Sequence, residues 1–480
     1  MKPPALRRSR KFPPQHDREA GVTILLVAAA MVAIMAMAAL SIDVVTLYLA
    51  NAEAQRSADA AALAGARILS VSGMTGDPAN VGSTWQLACA TAAQVAKSVG
   101  QLAQQNSVGR AAGTVTVSFP NNSDTATCSG GGPTAPFGVN PLVTVQVQRT
   151  DLPTFFARIW GRRGAGISAT ATAEAFSSSN SDLVGNSGPS GTVTPVQPRC
   201  VKPWIVPNLD PGGNAAGTLP FVTISNGSIS SPGIRVGGAA PGIVGEQFNL
   251  FADCGAAASC ATPTALPQAN VLNDTVTTFN GNAPPASPNL QYVPGEVPAQ
   301  STAVPSCGNG SPYQEAVSGC DQTTVYKCGV SNGNAADLGV NPGGPAGDTA
   351  TAVQCLTHQA TLGSTASGQD TLNSTVFPFQ ISAGSSNPLG VTGQITSSNS
   401  IVSLPIYDSS TGVAFAPGAA TRVTIVGFLQ VFINYVDTDG SLKVTVLNVA
   451  GCGNGSGGNI GNPVTGSSPV PVRLVIPPST

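Results

Sequence analysis

The sequence predicts an α+β protein in which an N-terminal transmembrane helix continues into a long helix. A small α+β unit and then a β-rich, disulfide-containing region follow. Three observations carry this prediction: an uncharged apolar stretch near the N-terminus, period-two alternation in several later segments, and ten cysteines that all lie beyond residue 80. Charged residues make up 9% of the chain and the net charge is −2. This balance argues against nucleic acid as a partner, because phosphate neutralisation needs dense Lys and Arg.

The first element is a membrane anchor. Residues 1–20 form a basic tail, and the 21 residues from Val22 to Ile42 carry no charge. At 1.5 Å per residue this run spans about 30 Å, the thickness of the bilayer core. The basic tail predicts a cytoplasmic N-terminus. We therefore expect a cytoplasmic tail over 1–20, a transmembrane anchor segment over 21–50 and all later residues outside. A signal peptide cleaved after Ala38 is the alternative.

The helical pattern continues beyond the anchor as an emerging helix over 51–70. From Asp43 to Leu69 the only Gly or Pro is Gly65, and Ala is abundant, which favours one helix of about 70 Å from Val22 to Leu69. Small residues recur on one face and predict a helix–helix contact; the alternative is that Ala is there as a good helix former. This face comprises Ala50, Ala54, Ala58, Ala61 and Gly65.

Asp43 is the one acid at the edge of the apolar span. Counted from Val22, it falls near the outer headgroup level, where an acid is tolerated. The alternative is that it pairs with a basic group on a partner helix.

We expect the next unit, a periplasmic α+β domain, over 71–176. It contains a helix from Thr84 to Asn106 and three alternating strands, Gly113 to Phe119, Leu142 to Arg149 and Gly166 to Phe176. Residues 177–199 are rich in Ser, Gly, Asn and Pro and predict a linker.

Residues 200–480 predict a β-rich periplasmic region of short strands between Gly, Asn and Pro turns. The clearest signal is a hairpin of Val423 to Tyr435 and Leu442 to Val449 around the turn Asp437-Thr438-Asp439-Gly440. Other strand-like runs are Ile401 to Tyr407 and, near the end, Val470 to Ile476.

The cysteines indicate the compartment. No two are spaced C-x-x-C, which disfavours a zinc ribbon or a thioredoxin-type pair. An even number in Gly- and Asn-rich sequence indicates structural disulfides in an oxidising compartment, with buried thiols of a cytosolic protein as the alternative. Two pairings are plausible from their spacing: Cys89 with Cys128, and Cys254 with Cys260.

The sequence supplies no catalytic constellation. It lacks a Walker A loop, and its histidines are His16 and His358. Asp408, Asp437 and Asp439 stand in turn-like sequence rather than in complete metal loops. We therefore predict no catalytic, cofactor-binding or metal-binding residues, no small-molecule substrate and no enzyme activity.

The stretch from Ala20 to Ala66 resembles the N-terminal segment of TadG-like (TadE/TadG family) proteins of the tight-adherence, Flp-type pilus system. After the apolar span it has Ser41-Ile42-Asp43-Val44-Val45, then Leu49, Ala52, Gln55 and Ser57-Ala58-Asp59-Ala60-Ala61-Ala62-Leu63-Ala64-Gly65-Ala66. Position 57 is Ser where the family often has Ala.

The resemblance implies a non-enzymatic, single-pass protein of the bacterial inner membrane that assists assembly or anchoring of such a pilus. It implies as partners the inner membrane and other pilus-assembly membrane proteins or pilin-like subunits. The alternative function is an envelope or surface adhesin whose β region recognises polysaccharide or another cell.

Overall fold

The structure is a computed structural model. It describes residues 19–71, 83–101, 111–119, 141–154, 156, 161, 164–175, 196–211, 220–224, 243–252, 288–298, 310–321, 323–337, 340, 342, 347–365, 368–375, 379–410, 413, 415, 420–452, 464–466 and 470–475. Its helices are α1 (Glu19–Ser70), α2 (Ser83–Gln101), α3 (Pro312–Ser318) and α4 (Asp348–Thr357).

The strands fall into a helix-covered sheet, a barrel and several short pairings. They are β1 (Thr114–Ser118), β2 (Leu142–Leu152), β3 (Ala165–Ala175), β4 (Val196–Pro198), β5 (Trp204–Pro207), β6 (Gln247–Ala252), β7 (Asn289–Pro294), β8 (Asn334–Ala336), β9 (Thr371–Asn373), β10 (Gln380–Ser382), β11 (Gln394–Ile395), β12 (Ile401–Tyr407), β13 (Thr421–Val423), β14 (Ile425–Val436), β15 (Leu442–Gly451), β16 (Val464–Gly466) and β17 (Val472–Val475). The predicted α+β class is confirmed.

Helix α1 is one uninterrupted helix of 52 residues, as its Ala-rich sequence predicts. Its second half and α2 pack on the antiparallel sheet β1-β2-β3-β17, and we call this assembly the helix–sheet unit. Alternation along β2 buries Val143, Val145 and Val147 against the helices. The predicted helix and three strands of this region are found: the strand ends lie within three residues of their predicted positions, the helix begins one residue earlier, and residues 102–106 of the predicted helix lie outside the described residues.

The fourth strand of that sheet comes from the other end of the chain. Strand β17 pairs antiparallel with β3, and Arg473 lies opposite Glu174 in the register. The Arg473 Nε donates to Glu174 Oε2 at 2.9 Å, and the Glu174 side chain is buried. The sequence predicts one separate β-rich region over 200–480, whereas β17 completes the sheet of the first unit.

The centre of the later region is a closed six-stranded barrel in the order β12-β14-β15-β6-β7-β5. Neighbours are antiparallel except β6 with β7 and β5 with β12, which are parallel. The predicted hairpin is its longest pairing, β14 with β15. Its turn is closed by Asp437 N–H to Ser441 O at 2.7 Å, and Gly440 takes φ +89°, a left-handed conformation that suits glycine.

Helices α3 and α4 are joined to the barrel by buried hydroxyl groups. Trp204 Nε1 donates to Tyr313 Oη at 3.0 Å, and Thr349 Oγ1 lies 2.8 Å from Tyr313 Oη and 2.6 Å from Tyr292 Oη. Trp204 lies in β5, Tyr313 in α3, Thr349 in α4 and Tyr292 in β7. Because each hydroxyl has a partner, the aromatic rings can be fully buried without the cost of unsatisfied polar groups.

Two disulfides fasten the barrel to its surroundings. Cys200, just before β5, is bonded to Cys320, just after α3, and Cys328 is bonded to Cys452, directly after β15. Cys89 and Cys355 are disulfide-bonded as well, and the described cysteines include no free thiol. Cys128, Cys254 and Cys260 lie outside the described residues, so the pairings Cys89 with Cys128 and Cys254 with Cys260 stay predictions.

The helix–sheet unit and the barrel share a boundary at the end of α1. The Asn448 side-chain amide of β15 donates to the backbone oxygen of Ser70, the last residue of α1. Phe432 and Leu447 of the barrel are buried in the same apolar cluster as the α1 alanines, together with Phe379 and Ile381 beside and within β10. The helix that begins in the apolar span therefore ends against the barrel.

Candidate functional site

The two halves of helix α1 have different surroundings. From Val22 to Leu49 its large apolar side chains are exposed, with Tyr48 at 74%, except Leu47, which is half-buried against the helix–sheet unit. From Ala50 to Ser70 one face is buried in the helix–sheet unit. Within the described residues α1 is the one helix whose length and composition suit a membrane span. A helix exposed and apolar over one half and packed in a core over the other connects a membrane rigidly to a folded unit.

The predicted small-residue face lies in this buried half. Ala54, Ala58 and Ala61 are fully buried, Ala50 is nearly so, and Gly65 is buried with them. The face packs against α2 and strands β2 and β3 of the same chain. The helix in contact with it is thus α2, and the structure leaves no room on this face for a second helix.

Gly65 shows why the face is made of small residues. A Cβ added at Gly65 would lie 3.1 Å from Val143 Cγ1, 3.3 Å from the Ala92 oxygen and 3.3 Å from Ala96 Cβ. The backbones of α1 and α2 therefore approach closely at this level, which only a small residue permits.

Polar residues of the same motif tie α1 to its neighbours. The Ser57 hydroxyl, buried, donates to the Gly100 oxygen of α2 at 3.0 Å. The Gln55 amide donates to Asp59 Oδ1 at 2.8 Å and to the Thr170 oxygen of β3 at 3.4 Å. Ser57 is the position that departs from the family pattern, and its hydroxyl gives α1 a hydrogen bond to α2 that an alanine would lack.

Asp43 is buried, with 3% of its surface exposed. Its Oδ2 accepts a hydrogen bond of 3.0 Å from the backbone N–H of Phe156, which lies in the connection between β2 and β3. The sequence leaves two alternatives for this carboxylate, a headgroup position or a basic partner on another helix. The structure gives Asp43 a backbone donor from the helix–sheet unit, so it joins the start of that unit to the end of the apolar span.

The outward face of α1 beyond the apolar span is polar. Asn51, Gln55 and Arg56 are exposed, whereas Glu53 and Asp59 are half-buried. With the small-residue face filled by α2, this polar face and the exposed apolar half are the parts of α1 that another protein can reach.

A second feature is a cavity of about 420 Å³ beside the barrel. Its lining includes Lys202, Ser318, His358, Ser403 and the Cys200–Cys320 disulfide. Lys202 Nζ donates to the Gly319 oxygen at 2.5 Å and to the Ala316 oxygen at 3.4 Å, at the C-terminal end of α3. Burial lowers the pKa of Lys202 to about 7.

The acidic turns considered from the sequence bind their own backbone. Asp408 Oδ1 accepts from the Ser410 N–H and hydroxyl at 2.9 and 2.6 Å, and Asp439 Oδ1 accepts in the same way from Ser441 at 2.8 and 2.6 Å. Among the residues that the structure describes, no three His, Cys, Asp or Glu side chains converge on a metal position.

Three features of the site could not be predicted from the sequence. The contact between Asp43 and Phe156 joins residues 113 positions apart, and no local pattern predicts it. Lys202 lies two residues before β5, and no local sequence pattern predicts that it is buried. The signal for β17 was present as a strand-like run, but its pairing with β3 was not.

The geometry defines a membrane-anchored protein in which one helix serves both as span and as core element of the folded unit. Residues 21–67 match the family model described as putative Flp pilus-assembly TadE/G-like. The matched range lies entirely within α1 and covers both the exposed apolar half and the buried small-residue face, so the resemblance predicted from this segment is confirmed. The comparisons with curated proteins and with solved structures give no significant match.

Proposed function

We propose that the protein is a non-enzymatic envelope protein that assists assembly or anchoring of a Tad, Flp-type pilus. The observation that carries the proposal is α1 itself: the family match at 21–67 falls on a helix whose large apolar side chains are mostly exposed up to Leu49 and whose small-residue face is buried from Ala50 onward. Such a helix holds a folded unit at a fixed distance from a membrane, which is a positional rather than a chemical role.

In this proposal the protein spans the inner membrane once, with residues 1–20 in the cytoplasm and the helix–sheet unit and barrel in the periplasm. The excess of Lys and Arg in the tail supports this orientation. The disulfides of the barrel support an oxidising compartment.

The orientation gives a direct prediction. A reporter that is active only outside the cytoplasm, fused after Leu69, is expected to be active, and the mature protein is expected to retain residues 1–20. The measurement is reporter activity together with N-terminal sequencing. A mature N-terminus at Ala39 would mean that the apolar run is a cleaved signal peptide.

The partners are other pilus-assembly membrane proteins or pilin-like subunits, and they approach the faces of α1 that the chain leaves open. A photo-crosslinking residue at Arg56, exposed on the polar face, is expected to capture such a partner, and the matched control is the same residue at Leu389, exposed on a distant loop. Capture from Leu389 alone would move the contact to the β-rich region.

Deletion tests the function as a whole. Loss of surface pili on deletion, restored by the intact chain, is the result that supports the proposal. An adhesin is the second candidate, because the cavity beside Lys202 offers polar groups to a ligand. Normal pili with lost attachment to surfaces or cells would favour the adhesin and contradict the assembly role.

A further inference from the structure

Asp43 lies at the outer end of the uncharged apolar run of α1. Exposed apolar side chains continue past Asp43 to Val44, Val45, Tyr48 and Leu49. The 21 uncharged residues from Val22 to Ile42 rise about 30 Å, which matches the hydrocarbon core of a bilayer. Asp43 directly follows this run. Its carboxylate therefore lies where the outer headgroup layer begins.

The hydrogen bond from Phe156 N–H to Asp43 Oδ2, 3.0 Å long, brings the connection between β2 and β3 to the same level. Phe156 is half-buried and Pro153 is exposed, so this end of the hairpin has surface facing outward. A buried carboxylate beside apolar surface needs a fixed donor, and this backbone N–H supplies one. The contact holds the hairpin end beside the membrane.

We propose that the end of the β2–β3 hairpin at Phe156 is embedded in the outer interfacial layer of the phospholipid bilayer that α1 spans. The protein then rests on the membrane at two points, the helix and the hairpin end, with Asp43 joining them. A spanning helix can tilt in the bilayer, and the folded unit packed on it tilts with it, whereas a second contact at the hairpin end limits this tilt. The inference rests on the membrane anchoring in the proposed function.

The experiment places a fluorescent reporter at the described position. The full-length Phe156→Trp variant is reconstituted in liposomes that contain phospholipid brominated near the carboxyl end of its acyl chains, a short-range quencher of Trp emission. After the wild-type emission is subtracted, the added Trp is expected to be quenched strongly and to emit at a blue-shifted wavelength. The matched control is Arg56→Trp, exposed on the same helix about 20 Å above Asp43, and its added emission is expected to be unquenched.

Equal quenching of the two variants, or no quenching of Phe156→Trp, would overturn the inference. Pro153→Trp, at an exposed site on the same connection, is measured in the same way and keeps the test decisive if the Phe156 variant does not fold. Only protein that floats with the liposomes is measured. Protein that fails to float would contradict the anchoring in the proposed function, whereas protein that floats with an unquenched hairpin reporter would contradict this inference alone.

Discussion

At the scale of single residues, the motif on α1 is a packing motif. Ala54, Ala58 and Ala61 are fully buried in the helix–sheet unit, and Gly65 lies directly against β2 and α2. Their spacing of three and four places them on one stripe of the helix. What the sequence presents as a surface for docking is, in the folded chain, the centre of the helix–sheet unit.

We expect Gly65→Leu to destabilise the helix–sheet unit by about 1–3 kcal/mol, because overpacking a tight core forces shifts in its neighbours. Here the neighbours include the Ala92 backbone oxygen, which cannot rotate away. The control is Asn51→Leu, exposed on the same helix, which is expected to leave stability nearly unchanged. The measurement is denaturant unfolding of the full chain in detergent micelles, and equal midpoints for both variants would contradict the packing assigned to Gly65.

The stability of the barrel is expected to depend on pH through Lys202. Burial lowers the pKa of this amine from 10.5 to about 7, so between these values the unfolded chain binds a proton that the folded chain does not. The free energy of unfolding is therefore expected to rise with pH from about 7 upward, by at most roughly 1.4 kcal/mol per pH unit. Above pH 10 the buried tyrosines act in the opposite sense, since burial raises the pKa of Tyr292 to about 12.

The check is the unfolding free energy of the full chain in detergent between pH 7.5 and 9, compared with that of Lys202→Met. Methionine keeps the bulk of the lysine stem and has no titrating amine, so its slope is expected to be shallower. Parallel curves for the two proteins would show that Lys202 does not titrate in this range.

At the scale of elements, the sheet of the helix–sheet unit depends on a strand from the far end of the chain. Glu174 of β3 is buried, and burial raises its pKa while Arg473 of β17 opposes the rise. The carboxylate of Glu174 therefore depends on the positive charge of Arg473 to remain ionised. This makes β17 a structural part of the first unit, although some 300 residues separate it from β3.

We expect Arg473→Gln to destabilise the helix–sheet unit at pH 7 by about 1–3 kcal/mol, because a buried carboxylate loses its charged partner. The loss is expected to shrink as the pH falls toward the raised pKa of Glu174, where the folded chain takes up a proton. The double variant Glu174→Gln with Arg473→Gln removes the buried charge and is expected to recover most of the stability. A double variant no more stable than the single one would argue against a charge effect.

At the scale of the whole molecule, disulfides contribute to the stability of the barrel. The barrel's strands come from segments between residues 204 and 451, and Cys200–Cys320 and Cys328–Cys452 each close about 120 residues of chain. Crosslinks of this separation stabilise chiefly by restricting the unfolded chain. A region rich in Gly benefits in particular, because Gly loses more conformational freedom on folding than other residues.

Replacing Cys328 and Cys452 together by Ser is expected to lower the free energy of unfolding of the barrel by about 2–5 kcal/mol. The unfolding transition of the helix–sheet unit, followed by protease sensitivity of the α1–α2 region, is expected to move much less. The wild-type chain isolated without reductant is expected to resist thiol alkylation after denaturation. Quantitative alkylation of its cysteines would contradict the disulfides and the oxidising compartment together.

The sequence by itself determined the elements whose signal is local. The apolar run, the Ala-rich continuation, the alternation of β1 to β3 and the Asp-Gly turn between β14 and β15 each depend on neighbouring residues, and all of them are found where predicted. The family resemblance of the segment up to Ala66 is equally local. Periodicity and turn chemistry are sufficient for such features because their contacts are only a few residues apart.

Tertiary structure alone decided what each surface contacts. The small-residue face is filled by α2, Asp43 binds the Phe156 backbone, β17 returns to β3, and Lys202 is buried at the end of α3. A small side chain indicates only that its site is tightly packed, and a charged side chain indicates only that it requires a partner. Which segment supplies that counterpart depends on chain closure over a hundred residues or more, and no periodic pattern encodes it.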